Sequence, residues 1–210
     1  MPSARDLRLQ HIIDAVALPG VLIGHRVIAP GDESALLPEE FGAFANSVAK
    51  VQRASGAARI VARELLPRLG QAPRPLPKSA SGAPIWPDGI VGSLAHDAEV
   101  AVAAVARRGD YAGVGIDIEP AQPLDHDLIE IVATPSERSA IADDPLQARV
   151  LFTVKEAVYK AVHPLDGIFL DHHDVEVSLA AGTATIREGR VVKFRHGLGE
   201  RIVALAFIAA

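Results

Sequence analysis

Hydrophobic residues recur at helical spacing in two long segments of the chain. The first segment is Ser47–Leu69, which begins at a serine able to cap a helix and ends at Gly70. Its apolar positions are Val48, Val51, Ile60, Leu65, Leu66 and Leu69. Residues 71–88, which follow, are rich in Pro, Gly and Ser, and this composition predicts a loop.

The second long helix is predicted after Asp143 and Asp144, which can cap it, with Pro145 at its first position. It continues to about His163 and stops before Pro164, because proline breaks the interior of a helix. Its apolar stripe consists of Leu151, Val154, Val158 and Ala161. Two shorter helices are predicted before it, over Asp127–Val132 and from Thr134–Pro135.

Alternating apolar and polar positions predict strands in the remaining segments. These are Ile90–Ser93, Glu99–Ala106, Tyr111–Glu119, Val175–Leu179, Thr183–Arg187, Val191–Arg195 and Ile202–Ile208. Pro120 stops the third strand, and glycines separate the last four. Helices among strands, followed by a strand meander, predict an α+β fold. Both parts of the chain show a long helix followed by strands, with a natural divide near residues 108–112.

Composition limits the class of protein further. Of the 210 residues, 49% are hydrophobic and 22% are charged, so the chain can bury a core and general disorder is excluded. Cysteine is absent, which excludes disulfides, Cys-based zinc sites, iron–sulfur clusters and thiol nucleophiles. The start MPSARDLRLQ lacks the apolar segment of a signal peptide, and no apolar run approaches the about 20 residues of a membrane span. We expect a soluble cytoplasmic protein.

The charges are segregated along the chain, although the net charge is only −5. Residues 48–78 carry seven basic side chains and one acidic one, whereas residues 110–144 carry nine acidic side chains and one basic one. A ligand that carries phosphates and requires a divalent metal would use both segments. Two solvated surfaces would explain the same pattern. The acidic balance argues against a surface that coats nucleic acid or an anionic membrane.

Two carboxylates stand out in the predicted strand Tyr111–Glu119. Asp117 and Glu119 are two residues apart, so their side chains leave the same face, and the neighbouring isoleucines point to the core. Two carboxylates at this spacing can share a divalent cation, or they can be the exposed polar positions of a half-buried strand.

On the second long helix, Glu156 and Lys160 are four residues apart, on a face turned away from the apolar stripe. They form either a solvated ion pair worth about 0.3–0.5 kcal/mol or a third metal ligand with a phosphate-binding lysine. The segment PIWPDGIVGSLAH adds Trp86 on a proline-stiffened turn and His96 at its end. By themselves, a single tryptophan favours a core position and a single histidine favours a structural one.

Taken in this order, PIWPDGIVGSLAH, GVGIDIEP and FTVKEAVYKAVHP resemble the motifs of the Sfp-type phosphopantetheinyl transferases, and are closest to the enterobactin synthase component D branch. TPSER and the basic helix ending in ARIVAREL support the resemblance, which covers roughly residues 45–180. It implies transfer of phosphopantetheine from coenzyme A to a serine of a carrier protein, with release of adenosine 3′,5′-bisphosphate. It also implies two similar α+β halves, 1–109 and 110–210, with the active site between them.

The resemblance implies roles for individual residues. The Mg²⁺ ligands would be Asp117, Glu119 and Glu156, and the contacts to coenzyme A would be Arg59, His96, Lys155 and Lys160. Lys160 would also offset charge on the reacting phosphate. Glu137 of TPSER would be the general base, a role that a hydroxide at the metal could take instead.

Two features depart from the family pattern. Ala54, Ser55 and Ala58 replace the glutamate–aromatic pair and the glycine of the basic helix, so Arg53 or Arg63 could share the role of Arg59. Asp97 follows His96 where the family often has Cys or Ser. Its negative charge would be unfavourable beside phosphates unless it points away or meets the metal.

Two other functions stay open at this point. One is a catalytically silent paralogue that binds coenzyme A or a carrier protein, against which the complete carboxylate set argues. The other is a metal-dependent phosphotransferase or phosphohydrolase with water as the nucleophile. The carrier, whether of a peptide synthetase, polyketide, siderophore or fatty-acid system, is not specified. We expect a basic or apolar docking patch and a monomer, since two halves in one chain complete the site.

Overall fold

The computed structural model of the chain describes residues 6–142 and 144–210. Six α-helices occur in this part: α1 Leu7–Val16, α2 Pro38–Phe41, α3 Ala49–Leu65, α4 His126–Val132, α5 Pro135–Ala140 and α6 Pro145–Asp166. The described strands are β1 Val21–Val27, β2 Ile90–His96, β3 Val100–Arg107, β4 Tyr111–Pro120, β5 Val175–Ser178, β6 Thr183–Ile186, β7 Val191–Leu198 and β8 Arg201–Ala209. The predicted α+β fold is confirmed. No helix within the described residues is long and apolar enough to cross a membrane.

The strands form two antiparallel sheets, of three strands in the order β1-β3-β2 and of five strands in the order β4-β8-β7-β6-β5. A shared core lies between the sheets, and α1 closes it by packing on β7 and β8. On the outer faces, α3 covers the smaller sheet and α6 covers the larger one. The sheets meet where the edge strand β2 contacts the edge strand β4.

Both sheets contain a strand, a long helix and two further strands in this order along the chain, and the last strand pairs with both of the other two. The series is β1, α3, β2, β3 in the smaller sheet and β4, α6, β7, β8 in the larger one. The larger sheet adds the β5–β6 hairpin after α6. The boundary between residues 109 and 110, and the likeness of the two halves, stay predictions.

Helix α3 differs from the sequence prediction at both ends. Its N-cap is Val48 rather than Ser47, and the helix passes into a 3₁₀ turn at Leu66–Leu69 before Gly70. Val48 and Val51, predicted to be apolar contacts, are 69% and 39% exposed. The buried face consists mainly of small residues, including Ala54, Ala57, Ala58 and Ala62, because the helix lies close against the sheet and other chain segments.

Helix α6 begins as predicted. The Asp144 carboxylate accepts hydrogen bonds from two backbone N–H groups of the first turn, whereas Asp143 lies outside the described residues. The predicted apolar stripe is fully buried. The end at His163 is wrong by three residues, because the last turn continues through Pro164 to Asp166 and ends at left-handed Gly167. The N–H of Gly167 donates to the His163 carbonyl, which satisfies that group at the helix end.

Two glycines let α6 approach β4 closely. A Cβ on Gly113 or Gly115 would lie well under 3.0 Å from the carbonyl oxygen of Ala161 or Ala157, respectively. Backbone-to-backbone contact of this kind has no room for any side chain. The close contact at Gly115 therefore fixes the distance between α6 and Asp117, which lies two residues further along β4.

We expect Gly115→Ala to lower the free energy of unfolding by about 1–3 kcal/mol or more, because the added methyl group overpacks the α6 interface. Urea denaturation at equilibrium measures the change. Gly109→Ala is the matched control, since nothing lies within 4 Å of the added Cβ. Equal stability of the two variants would contradict the close approach.

Candidate active site

Asp117 lies on the face of β4 that α6 covers, so only 6% of the residue is exposed. The sequence predicted that this face would point away from the core. Its Oδ1 atom accepts a hydrogen bond from Lys160 Nζ at 2.6 Å. Its Oδ2 atom is buried and has no partner among the described residues. Burial raises the pKa of Asp117 above its usual value, and the charge of Lys160 opposes the rise. One of the two oxygens of the Asp117 carboxylate is therefore buried without a hydrogen-bond donor among the described residues.

The other two predicted metal ligands lie in the electrostatic field of Asp117. Burial, and then the charge of Asp117, raise the pKa of Glu119 to about 7, while Arg149, 3.4 Å away, opposes the rise. Burial and Asp117 also raise the pKa of Glu156, which Lys160 opposes. Lys160 thus contacts Asp117 directly, whereas Glu119 and Glu156 interact with Asp117 through their charges, and Arg149 pairs with Glu119.

Among the described residues, no group of three or more His, Asp or Glu side chains is placed so that it could hold a metal ion by itself. Two features nevertheless fit a divalent cation: the partnerless Oδ2 of Asp117 and the surplus of carboxylate charge around it. Mg²⁺ keeps several water or phosphate oxygens and needs one or two protein carboxylates. The residues present therefore fit a partly open Mg²⁺ site.

A cavity of about 250 Å³ opens beside Lys160, at the seam between the two sheets. It is lined by the loop residues 81–84, by β2 and by the end of α6, including Tyr159 and His163. The Ser93 hydroxyl, in its β2 wall, is buried and has no partner in the described part of the chain. Gly92, which also lines the cavity, packs so closely on Trp86 that an added Cβ would lie 2.8 Å from the tryptophan ring.

His96 ends β2 and stands at the same seam. Its ring is exposed, its Nδ1 lies 3.2 Å from the Asp97 carbonyl, and its charge acts on Asp117. Asp97, the expected unfavourable charge, is turned to Arg201, whose Nε donates to its Oδ2 at 2.7 Å. The negative charge of Asp97 is therefore compensated by Arg201, an arrangement that the sequence analysis did not predict.

Glu137 and Lys155 form a buried ion pair, and neither lines the cavity. Lys155 Nζ lies 2.6 Å from Glu137 Oε2, and both side chains are 1% exposed. Glu137 also accepts hydrogen bonds from the N–H groups of Thr134 and Val177, while Lys155 donates to the His172 carbonyl. Both charges are thus paired within the protein, which does not favour a general base or a phosphate contact at these positions. These two roles stay predictions.

Arg59 is 3% exposed and is likewise committed to internal partners. Its guanidinium donates to the carbonyls of Leu76 and Ser55 and lies over the Phe44 ring. The carboxylate of Glu40, fully buried, lies 3.7 Å from Arg59 and 2.8 Å from Arg63. The structure does not bring Arg59 to Asp117.

The basic segment is partly neutralised within the fold. Glu40 pairs with Arg59 and Arg63, and Glu33 pairs with Arg53 at 3.0 Å. Lys78 remains at the surface, with Nζ 4.3 Å from the centre of the Phe44 ring. Glu33 and Glu40 lie before residue 48. The charge of residues 48–78 alone therefore overstates the positive charge of this part of the fold.

Two family models match the chain. The 4′-phosphopantetheinyl transferase N-terminal domain matches residues 38–106, and the 4′-phosphopantetheinyl transferase superfamily matches residues 113–206.

Curated relatives align with much of the chain. The transferase Svp of Streptomyces mobaraensis is 43% identical over 76% of this chain and 68% of its own length. PptT of Mycobacterium tuberculosis is 40% identical over 68% of this chain and 64% of its own length. Enterobactin synthase component D of Salmonella typhimurium is 36% identical over 37% of this chain and 34% of its own length. The chain thus spans about two thirds of the first two relatives.

Proposed function

The chain belongs to the 4′-phosphopantetheinyl transferase superfamily, and from that premise we propose that it moves phosphopantetheine from coenzyme A to a serine of an acyl or peptidyl carrier protein. The observation that carries this proposal is the arrangement at the seam of the two sheets. There, Lys160 lines a cavity between β2 and the end of α6 and also holds the half-satisfied carboxylate of Asp117. A buried carboxylate with an unused oxygen is costly to keep and is typical of a functional site.

Asp117, Glu119 and Glu156 would hold Mg²⁺ in this proposal. When bound, the ion would supply positive charge at the phosphate oxygens of coenzyme A. Burial is the main cause of the raised pKa values of these carboxylates, and a shared cation would lower those values.

The residues of the chain then act on the diphosphate of coenzyme A. Lys160 is 28% exposed, so its ammonium can turn from Asp117 to a phosphate oxygen. The Ser93 hydroxyl has a hydrogen bond to donate, and His96 approaches from the end of β2. The serine oxygen of the carrier attacks the β-phosphorus, and adenosine 3′,5′-bisphosphate departs with the bridging oxygen. The serine proton passes to solvent water as the bond to phosphorus forms.

Intact-mass spectrometry of an apo carrier protein tests the function. The carrier is incubated with the protein, coenzyme A and Mg²⁺, beside a sample with EDTA. We expect a mass gain of one phosphopantetheine that EDTA abolishes. Coenzyme A binding without any gain on several carrier types would favour the silent paralogue, and release of the bisphosphate without carrier would favour a phosphohydrolase.

We expect Lys160→Ala to weaken coenzyme A binding by about tenfold at low ionic strength, and by less at high salt, because it removes a charge-assisted contact to phosphate. Isothermal titration at several salt concentrations measures the effect. Lys193→Ala, at an exposed position of β7, is the matched control. Equal affinity of the native protein and Lys160→Ala would remove Lys160 from the site.

The proposal also includes the cytoplasm as the compartment and a monomer as the active form. One chain supplies both walls of the cavity, so no second copy is needed to complete it. Absence of cysteine agrees with a compartment in which disulfides play no part.

A further inference from the structure

Arg201 makes three ionic contacts at the seam between the sheets. Its Nε lies 2.7 Å from Asp97 Oδ2, its Nη2 lies 2.6 Å from Glu99 Oε2, and its Nη1 lies 3.4 Å from Asp6 Oδ2. The Arg201 side chain is 12% exposed and that of Asp97 is 5% exposed. A planar guanidinium with five donors suits such a set of carboxylates better than an ammonium group would.

These contacts join the two elements that carry the candidate active site. The backbone of Arg201, at the start of β8, is the register partner of Pro120, which directly follows Glu119 in β4. Its side chain crosses to the turn between β2 and β3, where Asp97 directly follows His96. One side chain therefore links the turn of the smaller sheet to the carboxylate strand of the larger sheet.

The negative charge of Asp97 affects the carboxylates of the candidate active site. It is among the charges that raise the pKa of Glu119, so the two carboxylates are close enough to interact. The Asp97 side chain also accepts the N–H groups of Glu99 and Val100, each at 2.7 Å, which fixes it within the turn. Without its cation, this carboxylate would repel any anionic ligand bound beside His96.

We propose that Arg201 is a positioning residue of the active site, which holds the His96 turn against the strand of Asp117 and Glu119 and cancels the charge of Asp97 beside the phosphates of coenzyme A. This inference rests on the proposed function. It assigns Arg201 two separable effects, one on the affinity for coenzyme A through charge and one on turnover through the placement of His96.

A cycle of Arg201→Gln, Asp97→Asn and the double variant separates the two effects. Arg201→Gln should weaken coenzyme A binding by about tenfold, and more at low salt, because Asp97 is left uncompensated. The double variant should bind within about twofold of the native protein, yet its kcat should stay several-fold low, since nothing holds the turn. Arg187→Gln, which breaks a remote exposed pair with Asp174, should change neither value.

Isothermal titration with coenzyme A, the kcat of carrier modification and melting temperatures provide the readouts. Failure of the double variant to recover affinity would overturn the charge role, and full recovery of kcat would overturn the positioning role. If Arg201→Gln does not fold, Asp97→Asn alone decides, because affinity more than fivefold below native would contradict the inference. A native protein that neither binds coenzyme A nor modifies a carrier would overturn the proposed function itself, whereas native activity with an unaffected Arg201→Gln would overturn only this inference.

Discussion

Replacing Asp117 with asparagine should reduce phosphopantetheine transfer by about 100- to 1000-fold, because it removes the carboxylate around which the other charges of the site are arranged. The same change should leave the free energy of unfolding unchanged or higher. The native carboxylate is buried, one of its oxygens has no partner, and its pKa is raised, so its charged form costs the fold stability at neutral pH. Asparagine keeps the shape without that charge.

Three measurements check this expectation: the initial rate at saturating Mg²⁺, the Mg²⁺ affinity by isothermal titration, and the urea midpoint. Asp127→Asn, at an exposed carboxylate of α4, is the control and should change none of them. Unchanged turnover of Asp117→Asn at saturating Mg²⁺ would contradict the metal assignment. Loss of activity that accompanies a large drop in the urea midpoint would show that Asp117 serves the fold.

Lys155→Met should lower the free energy of unfolding by about 3–5 kcal/mol, because it leaves the Glu137 carboxylate buried without its cation. The double variant Lys155→Met/Glu137→Gln should recover much of the loss, since no unpaired charge remains. Measured per folded molecule, at a temperature well below the midpoint, transfer by the double variant should be close to native. This outcome would assign both residues to the fold, in place of the catalytic roles that the resemblance implied.

Catalytic roles of Lys155 and Glu137 would give the opposite result. A general base or phosphate contact would show a large fall in kcat or in coenzyme A affinity of the double variant at full stability. Glu130→Gln, which breaks an exposed pair with Arg138, provides the control and should cost about 0–1 kcal/mol.

The local pattern of the sequence predicted elements well where one periodicity dominates. Strands β2 to β8 and the start of α6 agree within a few residues, and Ile116 and Ile118 are fully buried as expected. The sequence also predicted that Asp117 and Glu119 share a face of β4 and that Glu156 and Lys160 share a face of α6, because strand and helix geometry fix which neighbours share a face. Their roles in the site stay predictions. Helix α1 and strand β1 were not predicted.

A local sequence pattern could not predict contacts between residues that are far apart in the chain. Glu40 is 23 residues from Arg63, and Glu137 is 18 residues from Lys155, so no spacing rule reveals either buried pair. Arg201 lies 104 residues from Asp97, and the only sequence signal was the unusual charge of Asp97 itself. Ser93 lies in the segment PIWPDGIVGSLAH, but its local sequence gives no sign that its hydroxyl is buried without a partner in the described part of the chain.

The pairing of β4 with β8 has a consequence for the order of synthesis. Residues 111–120 include two of the three carboxylates of the site, but their strand partner is 201–209, which leaves the ribosome last of the two. Until then β4 has an open edge within the larger sheet, and the apolar face with Ile116 and Ile118 lacks the β8 residues that share its core. Enzymatic competence is thus acquired late in translation, and a nascent chain halted before β8 presents a hydrophobic strand that chaperones would recognise.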